Sequence, residues 1–310
     1  MFNRGISDEK FLTALRDWKE WDKIAADKEL FFAMRENSVH VYYQGCRIFN
    51  ISYDHRLLLK THYKYLINPY MNDPYISWSG EGNSIKKRVD EIFIESLDTN
   101  LLKKAASYYA GAEKQGVHEI LKSNNNIIDV EIALSIPAEK EQEREDEIKA
   151  STEAHADRID FVALQKSDGT ARIVFFEAKR FKNPELKAEK GDARVISQLK
   201  RYETFIANEK HQHEIKTSYR RVCQNLLTLA PRRCDAFVKK VAENDEIKLA
   251  VDPKVRLVVF DYSADEKKGK FWKDHEKKLI EKLGETGLLM KGKPKGFVNG
   301  ISKYRLETPS

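Results

Sequence analysis

Two apolar segments separated by a short turn signal constrain the fold of this chain most strongly. Residues 157–164 and 172–180 are rich in β-branched and aromatic side chains. Between them, residues 165–170 contain the pair Asp168-Gly169, which favours a turn. The pattern therefore predicts a β-hairpin. Each predicted strand also carries an acid among apolar neighbours, Asp160 in the first and Glu177 in the second.

Alternation along the hairpin predicts which side chains share a face of the sheet. Asp160 shares a face with Val162, and Glu177 shares a face with Phe175 and Lys179. We expect Glu177 and Lys179 to project side by side, with Asp160 across the hairpin. Two close carboxylates raise each other's pKa unless a cation lies between them. A divalent metal ion is the expected cation, and an ordinary salt bridge on a half-exposed sheet is the alternative.

Three motifs follow one another in the order of a known nuclease family. They are a strand acid, an acid-x-lysine strand and a glutamine-x-x-x-tyrosine helix: Asp160, Glu177-Ala178-Lys179, and Gln198 with Tyr202. This order resembles the PD-(D/E)xK, or restriction-endonuclease-like, nuclease superfamily, especially its RecB-like branch with a QxxxY helix. The resemblance covers the middle of the chain. The proline that often precedes the first acid of the family is replaced by Ile159.

The resemblance implies an Mg²⁺-dependent deoxyribonuclease, with Mn²⁺ as a second metal that could serve. Asp160, Glu177 and the backbone carbonyl of Ala178 would bind the metal ion, whose hard character suits oxygen ligands. Lys179 would orient or activate the nucleophile and stabilise charge on the phosphate oxygens.

Residues on the helices around the predicted hairpin are expected to complete the site. Gln198 and Tyr202 are four residues apart and therefore lie on one helix face, from which they would support the site. The family also implies a further acid on the helix before the sheet. Gly111 and Gly116 are expected to interrupt the predicted helix at 101–121. Glu113 has the position of the further acid if that helix is nevertheless continuous, and Glu119 and Glu131 are alternatives.

Basic residues flank the predicted site and suggest its partner. They are Arg180, Lys182, Lys200 and Arg201. We expect them to contact phosphates, which would make nucleic-acid binding dependent on salt. DNA is preferred over RNA as the partner, in restriction or anti-phage defence, and a homo-oligomer or a defence-system protein are further partners to consider. The alternative function is a catalytically inactive nuclease-like module that binds nucleic acid or protein.

The predicted fold class is α/β, with a restriction-endonuclease-like core in which helices flank a mixed central sheet. Residues 1–80 are expected to form an α+β accessory region, and residues 81–310 a nuclease-like domain with an acidic insertion near 137–156. Apolar periodicity predicts the following elements. They are a helical start capped by Ser7, a hairpin at 39–43 and 46–51, helices at 85–97, 101–121, 198–208, 215–229 and 271–283, and strands at 127–134 and 255–262.

Composition narrows the class of protein further. Of the 310 residues, 41% are hydrophobic and 34% charged, which is typical of a globular chain. No apolar run reaches the ~20 residues of a membrane span, and the start of the chain has no apolar signal region. We therefore expect a cytoplasmic protein without a membrane partner. The three cysteines have irregular spacing, which predicts neither a disulfide framework nor a zinc site.

Overall fold

Two five-stranded sheets and the helices packed on them form the described part of the protein. The computed structural model describes residues 2–66, 92–93, 98–134, 158–167, 169–188 and 191–292. The first sheet has the strand order β1-β2-β3-β4-β5, and the second has the order β10-β9-β8-β7-β6. The predicted α/β class is confirmed at this level, and the second sheet is mixed.

The first sheet is antiparallel throughout and follows two short helices. The elements are α1 (Glu9–Asp17), α2 (Lys19–Ala26), β1 (Phe31–Met34), β2 (Ser38–Tyr43), β3 (Cys46–Asp54), β4 (Arg56–Thr61) and β5 (Ile92–Phe93). The predicted hairpin is confirmed as β2 and β3. Its turn residues Gln44 and Gly45 both have positive φ, a backbone conformation that glycine adopts without strain. The predicted cap Ser7 is wrong, because the side chain of Asp8 accepts the Lys10 N–H at the start of α1.

The predicted interruption of the helix at 101–121 is confirmed at Gly111, whereas Gly116 lies within a continuous helix. The two helices are α3 (Thr99–Tyr109) and α4 (Ala112–Lys122), and the chain adopts an extended conformation at Ala110 and Gly111. Gly111 has no side chain to favour continuation of the helix and serves as the N-cap of α4. The predicted helix at 85–97 is wrong where the structure describes it, because Ile92–Phe93 pairs with β4.

The second sheet carries the predicted hairpin. Its strands are β6 (Ile127–Ala133), β7 (Arg158–Ser167), β8 (Thr170–Arg180), β9 (Leu249–Phe260) and β10 (Leu288–Gly292). β6, β7 and β8 pair antiparallel, whereas β8, β9 and β10 pair parallel. The predicted pairing of β6 with β7 is confirmed. The predicted acidic insertion near 137–156 lies outside the described residues.

Helices cover both faces of the second sheet. α5 (Arg194–Ala207) and α6 (Glu209–Leu229) pack against β9, while α4 packs against β8. The remaining helices are α7 (Ala236–Glu243), α8 (Ala264–Lys268) and α9 (Lys270–Leu283). Asn208 ends α5, and its side chain caps α6, so α6 begins earlier than the predicted residue 215. Beneath α4, a Cβ on Gly116 would lie 2.0 Å from the ring of Phe260, so only glycine allows this close packing.

One apolar cluster joins the two sheets. It includes Ile51 of the first sheet with Phe11 of α1, and Phe175 of the second sheet with Tyr219 of α6. The buried carboxylate of Asp129 on β6 adds polar contacts across the same junction. It forms ion pairs with Arg4, at 3.4 Å, and with Arg35, and accepts a hydrogen bond from the Tyr219 hydroxyl at 3.2 Å. The predicted boundary between residues 80 and 81 lies outside the described residues.

Cys46, Cys223 and Cys234 are buried free thiols. Among the described residues, the helices are all too short or too polar to cross a bilayer.

Candidate functional site

The register of the β7–β8 hairpin brings the two predicted acids to one face of the second sheet. Its regular pairing ends with Phe161 opposite Phe176. Those two rings are stacked 5.0 Å apart in the apolar layer beneath α4. Asp160 and Glu177 are the adjacent residues, so alternation directs both toward the other face, which α5 and α6 cover. The predicted sharing of a face is therefore confirmed.

Asp160 lies where the two strands begin to separate. Its Oδ2 accepts a hydrogen bond from the backbone N–H of Ala178 at 2.7 Å, so the side chain connects the strands beyond the last regular pair. Burial, and next the negative charge of Glu177, raise the pKa of Asp160 well above its ordinary value, and the Ala178 bond offsets only part of this. The carboxylate therefore lacks sufficient positive charge nearby.

Glu177 is more deeply buried than Asp160. Only 3% of its side chain is exposed, and its Oε2 has no hydrogen-bond partner among the described residues. Burial raises the pKa of Glu177 from 4.5 to about 7, although the positive charge of Lys179 opposes the shift. A buried carboxylate oxygen without a donor is costly. The site can therefore accept a cation or a proton at this oxygen.

Lys179 lies between two carboxylates. Its Nζ is 3.0 Å from Oε1 of Glu177 and 2.7 Å from Oε2 of Glu185. Burial alone would lower the pKa of Lys179, but the two carboxylates outweigh it and raise the pKa above its ordinary value. Because Lys179 has two acidic partners and Glu177 only one cation, the ammonium is well compensated and the Glu177 carboxylate is not.

Glu185 was missed by the sequence analysis. It follows Asn183 and Pro184, and the Asn183 side chain caps a single 3-10 turn that includes Glu185. The Asn-Pro pair is a recognisable signal for a turn. Nothing in that signal predicts that the turn folds back toward Lys179.

Glu113 reaches the same end of β8 even though its helix is not continuous with α3. Its Oε2 accepts hydrogen bonds from the backbone N–H of Arg180 at 2.9 Å and from the Asn183 side chain at 2.8 Å. Its charge also contributes to the raised pKa of Glu177. Glu113 thus positions the end of β8 and adds negative charge to the site.

The two alternative acids have different surroundings. Glu119 pairs with Lys122 on its own helix at 3.0 Å. Glu131 has a positive φ of 50° and lies 3.6 Å from Arg158, and its charge helps to raise the pKa of Asp160. Glu131 is therefore the nearer of these two alternatives to the candidate site.

The side chains of Gln198 and Tyr202 are joined on α5. The Gln198 amide donates to the Tyr202 hydroxyl at 2.7 Å, and that hydroxyl donates to the backbone carbonyl of Arg158 at 2.8 Å. Tyr202 is fully buried, and its hydroxyl connects α5 to the start of β7, two residues before Asp160. This contact fixes the position of the strand that carries the first acid.

The predicted phosphate-binding cations have acidic neighbours. Arg180 pairs with Asp261 at 2.6 Å, and Lys182 pairs with Glu266 at 3.2 Å. Lys200 is 66% exposed and lies 4.0 Å from Asp192. Arg201, the next residue along α5, is half-buried. Of the three ion-paired cations, Lys182 is the most exposed and Lys200 is next. The acidic contact of Lys200 is the longest of the three.

Within the described ranges, no group of three or more His, Cys, Asp or Glu side chains is arranged to hold a metal ion. The predicted donor set differs from such a group, since it consists of two carboxylates and a backbone carbonyl. Comparison with protein-family models, with curated proteins and with solved structures gives no match. The fold and site together define a mixed α/β protein with a buried, undercompensated carboxylate pair.

Proposed function

We propose that this protein is a divalent-metal-dependent hydrolase of phosphodiester bonds in nucleic acid, with DNA preferred over RNA. The observation that carries the proposal is the pair of Asp160 and Glu177 on one face of the sheet, with Oε2 of Glu177 buried and without a donor. In a stable buried ion-pair network, each carboxylate would have a cation and hydrogen-bond donors for its oxygens. This pair instead has the charge and the free oxygen that a cation would compensate.

A magnesium ion fits the donors that these strands supply. Mg²⁺ in enzymes is commonly held by one or two carboxylates, with water and substrate phosphates as the remaining ligands. Asp160, Glu177 and the backbone carbonyl of Ala178 would hold it, and Mn²⁺ would serve as well. When bound, the ion would lower the pKa of a water molecule and neutralise developing negative charge.

Lys179 would act through its charge rather than as a base. Its raised pKa means that the ammonium keeps its proton at neutral pH. A protonated lysine can donate hydrogen bonds to phosphate oxygens and stabilise the charge that develops on them. Glu177 and Glu185 hold the ammonium beside the carboxylate pair, at 3.0 and 2.7 Å.

The finer fold class is part of the proposal. A helix, three antiparallel strands, three further helices and a parallel strand follow in the order α4, β6, β7, β8, α5, α6, α7 and β9. With the acids on β7 and β8 and the Gln198–Tyr202 pair on α5, this order supports a restriction-endonuclease-like core.

A cleavage assay tests the proposed function. Purified protein should degrade linear or circular DNA with Mg²⁺ or Mn²⁺, and EDTA should stop the reaction. Lys179→Ala should reduce the rate about a hundredfold or more, because it removes the charge that faces the phosphate. Asp160→Asn should abolish cleavage, whereas Asp17→Asn, at an exposed residue of α1, should leave it unchanged.

The alternative of an inactive binding module has its own observation. The described residues contain no group of three metal-ligating side chains, which is expected of a module that does not cleave. DNA binding by the wild type without cleavage under any of these metal conditions would favour that module over the hydrolase. If Lys179→Ala and Asp160→Asn both retain cleavage, other residues carry the reaction.

A further inference from the structure

A large cleft opens at the end of the second sheet that lies away from Asp160. Its volume is about 830 Å³. It is lined by the end of β7 and by three connections: α2 to β1, α4 to β6, and α6 to α7. Lys166 lines the cleft and lies six residues beyond Asp160 on β7, or about 20 Å at the usual rise of a strand. The cleft is therefore separate from the candidate hydrolase site.

The floor of the cleft is apolar. Eight apolar side chains that line it are buried: Leu30, Phe32, Leu121, Ile127, Leu164, Leu226, Cys234 and Val238. Phe31 and Phe237 also line it and are partly exposed, so their rings are accessible from the cleft. Aromatic faces beside aliphatic groups suit a flat, largely apolar ring system.

The rim of the cleft is basic. Five basic side chains line it, against one acid. Lys28, Lys166 and Arg232 are exposed, and within the described part of the chain none of the three has an acidic side chain at ion-pair distance. Unpaired cations around a concave surface attract anions.

The other charged residues of the cleft are already engaged in the fold. Lys122 pairs with Glu29 and Glu119. Arg233 donates to backbone carbonyls of α2 and of the α2–β1 connection, and Asp235 accepts the Val238 N–H as the cap of α7. The cations that remain for a ligand are therefore the three on the rim.

We propose that this cleft binds a nucleotide. The base would lie on the apolar floor beside Phe31 and Phe237, and the phosphates would contact Lys28, Lys166 and Arg232. A volume of about 830 Å³ lies within the range of small-molecule sites, which combine an apolar lining with a few polar groups. The inference does not depend on the proposed hydrolase activity, because it uses other residues at the opposite end of the sheet.

Calorimetric titration of the full chain with ATP tests the proposal. EDTA in the buffer prevents divalent ions from recruiting phosphates to the carboxylate site. The wild type should bind ATP saturably at one site. Lys166→Glu with Arg232→Glu should weaken binding at least tenfold, and the milder Lys166→Gln with Arg232→Gln should weaken it in the same direction.

Matched controls separate this cleft from general charge effects. Lys210→Glu with Lys277→Glu changes the net charge equally at two exposed lysines outside the cleft and should leave ATP affinity unchanged. Asp160→Asn should also bind ATP normally. Inorganic triphosphate should bind at least tenfold more weakly than ATP, because it lacks a ring for the floor.

Four results would overturn the proposal, and the first three concern the wild type and the controls. Those three are no saturable ATP binding by the wild type, equal weakening by the Lys210 and Lys277 control, and equal affinity for ATP and inorganic triphosphate. If both cleft variants melt at the wild-type temperature and still bind ATP normally, the cleft is also not the nucleotide site.

Discussion

Replacing Glu177 by glutamine should stabilise the metal-free protein at alkaline pH. The pKa of Glu177 is raised from 4.5 to about 7 by burial. A raised folded-state pKa means that the folded protein binds the proton more tightly than the unfolded chain does. The contribution of Glu177 to stability is therefore fully present below pH 4.5 and is lost as the pH rises through 7.

The size of this effect follows from the same values. A pKa that rises from 4.5 to about 7 corresponds to about 3 kcal/mol between the two protonation states. This figure is an upper value, because Lys179 loses one of its two acidic partners in the variant. At pH 8 in EDTA, Glu177→Gln should raise the free energy of unfolding relative to wild type by up to about 3 kcal/mol. At pH 4.5 the advantage should disappear.

Urea unfolding followed by circular dichroism measures this difference at both pH values. Glu185→Gln is the matched control, since Glu185 is the other partner of Lys179 but is 37% exposed. Its effect should stay below about 1 kcal/mol at both pH values. If Glu177→Gln instead destabilises the protein equally at pH 4.5 and pH 8, Glu177 is a structural ion-pair partner, and the reasoning about an undercompensated site is refuted.

Three further variants test the fold and the proposed interface. Gly116→Ala should lower the free energy of unfolding by about 1–3 kcal/mol in urea unfolding, because the added methyl group overlaps a β9 ring, whereas Gly111→Ala, with open space around it, should change it by less than about 1 kcal/mol. Asp129→Asn should cost about 3–5 kcal/mol, since it leaves two arginines without their buried carboxylate, and an unchanged melting temperature would contradict this. Lys200→Ala with Arg201→Ala should weaken DNA binding more at low salt than at high salt in fluorescence anisotropy, and an unchanged binding curve would remove both residues from the proposed interface.

The hairpin and its acids could be predicted because the information is local. Alternation fixes which residues share a face, and the Asp-Gly pair marks the turn, so Asp160 and Glu177 could be assigned to one face before any coordinates were known. That Gln198 and Tyr202 share one face of α5 also follows from local spacing.

Contacts between distant parts of the chain could not be predicted in this way. The carboxylate of Glu185 reaches Lys179 only because the turn after β8 folds back, and Asp261 and Glu266 reach Arg180 and Lys182 from beyond β9. No periodicity encodes such contacts.

Predicted element boundaries were wrong where one or two residues decide between a helical and an extended backbone. The extended backbone of Ala110 ends α3, and that of Gly111 begins α4. The two-residue strand Ile92–Phe93 is too short for alternation to be recognised, and its pairing with β4 depends on the tertiary fold.

Anomalous diffraction from a crystal soaked in Mn²⁺ tests the central claim most directly. The carboxylates of Asp160 and Glu177 should both coordinate one anomalous peak, at about 2.0–2.3 Å from their oxygens. The peak should be absent from a Glu177→Gln crystal soaked in the same way. A wild-type crystal without a peak between these two carboxylates would contradict the proposal of a metal-dependent hydrolase.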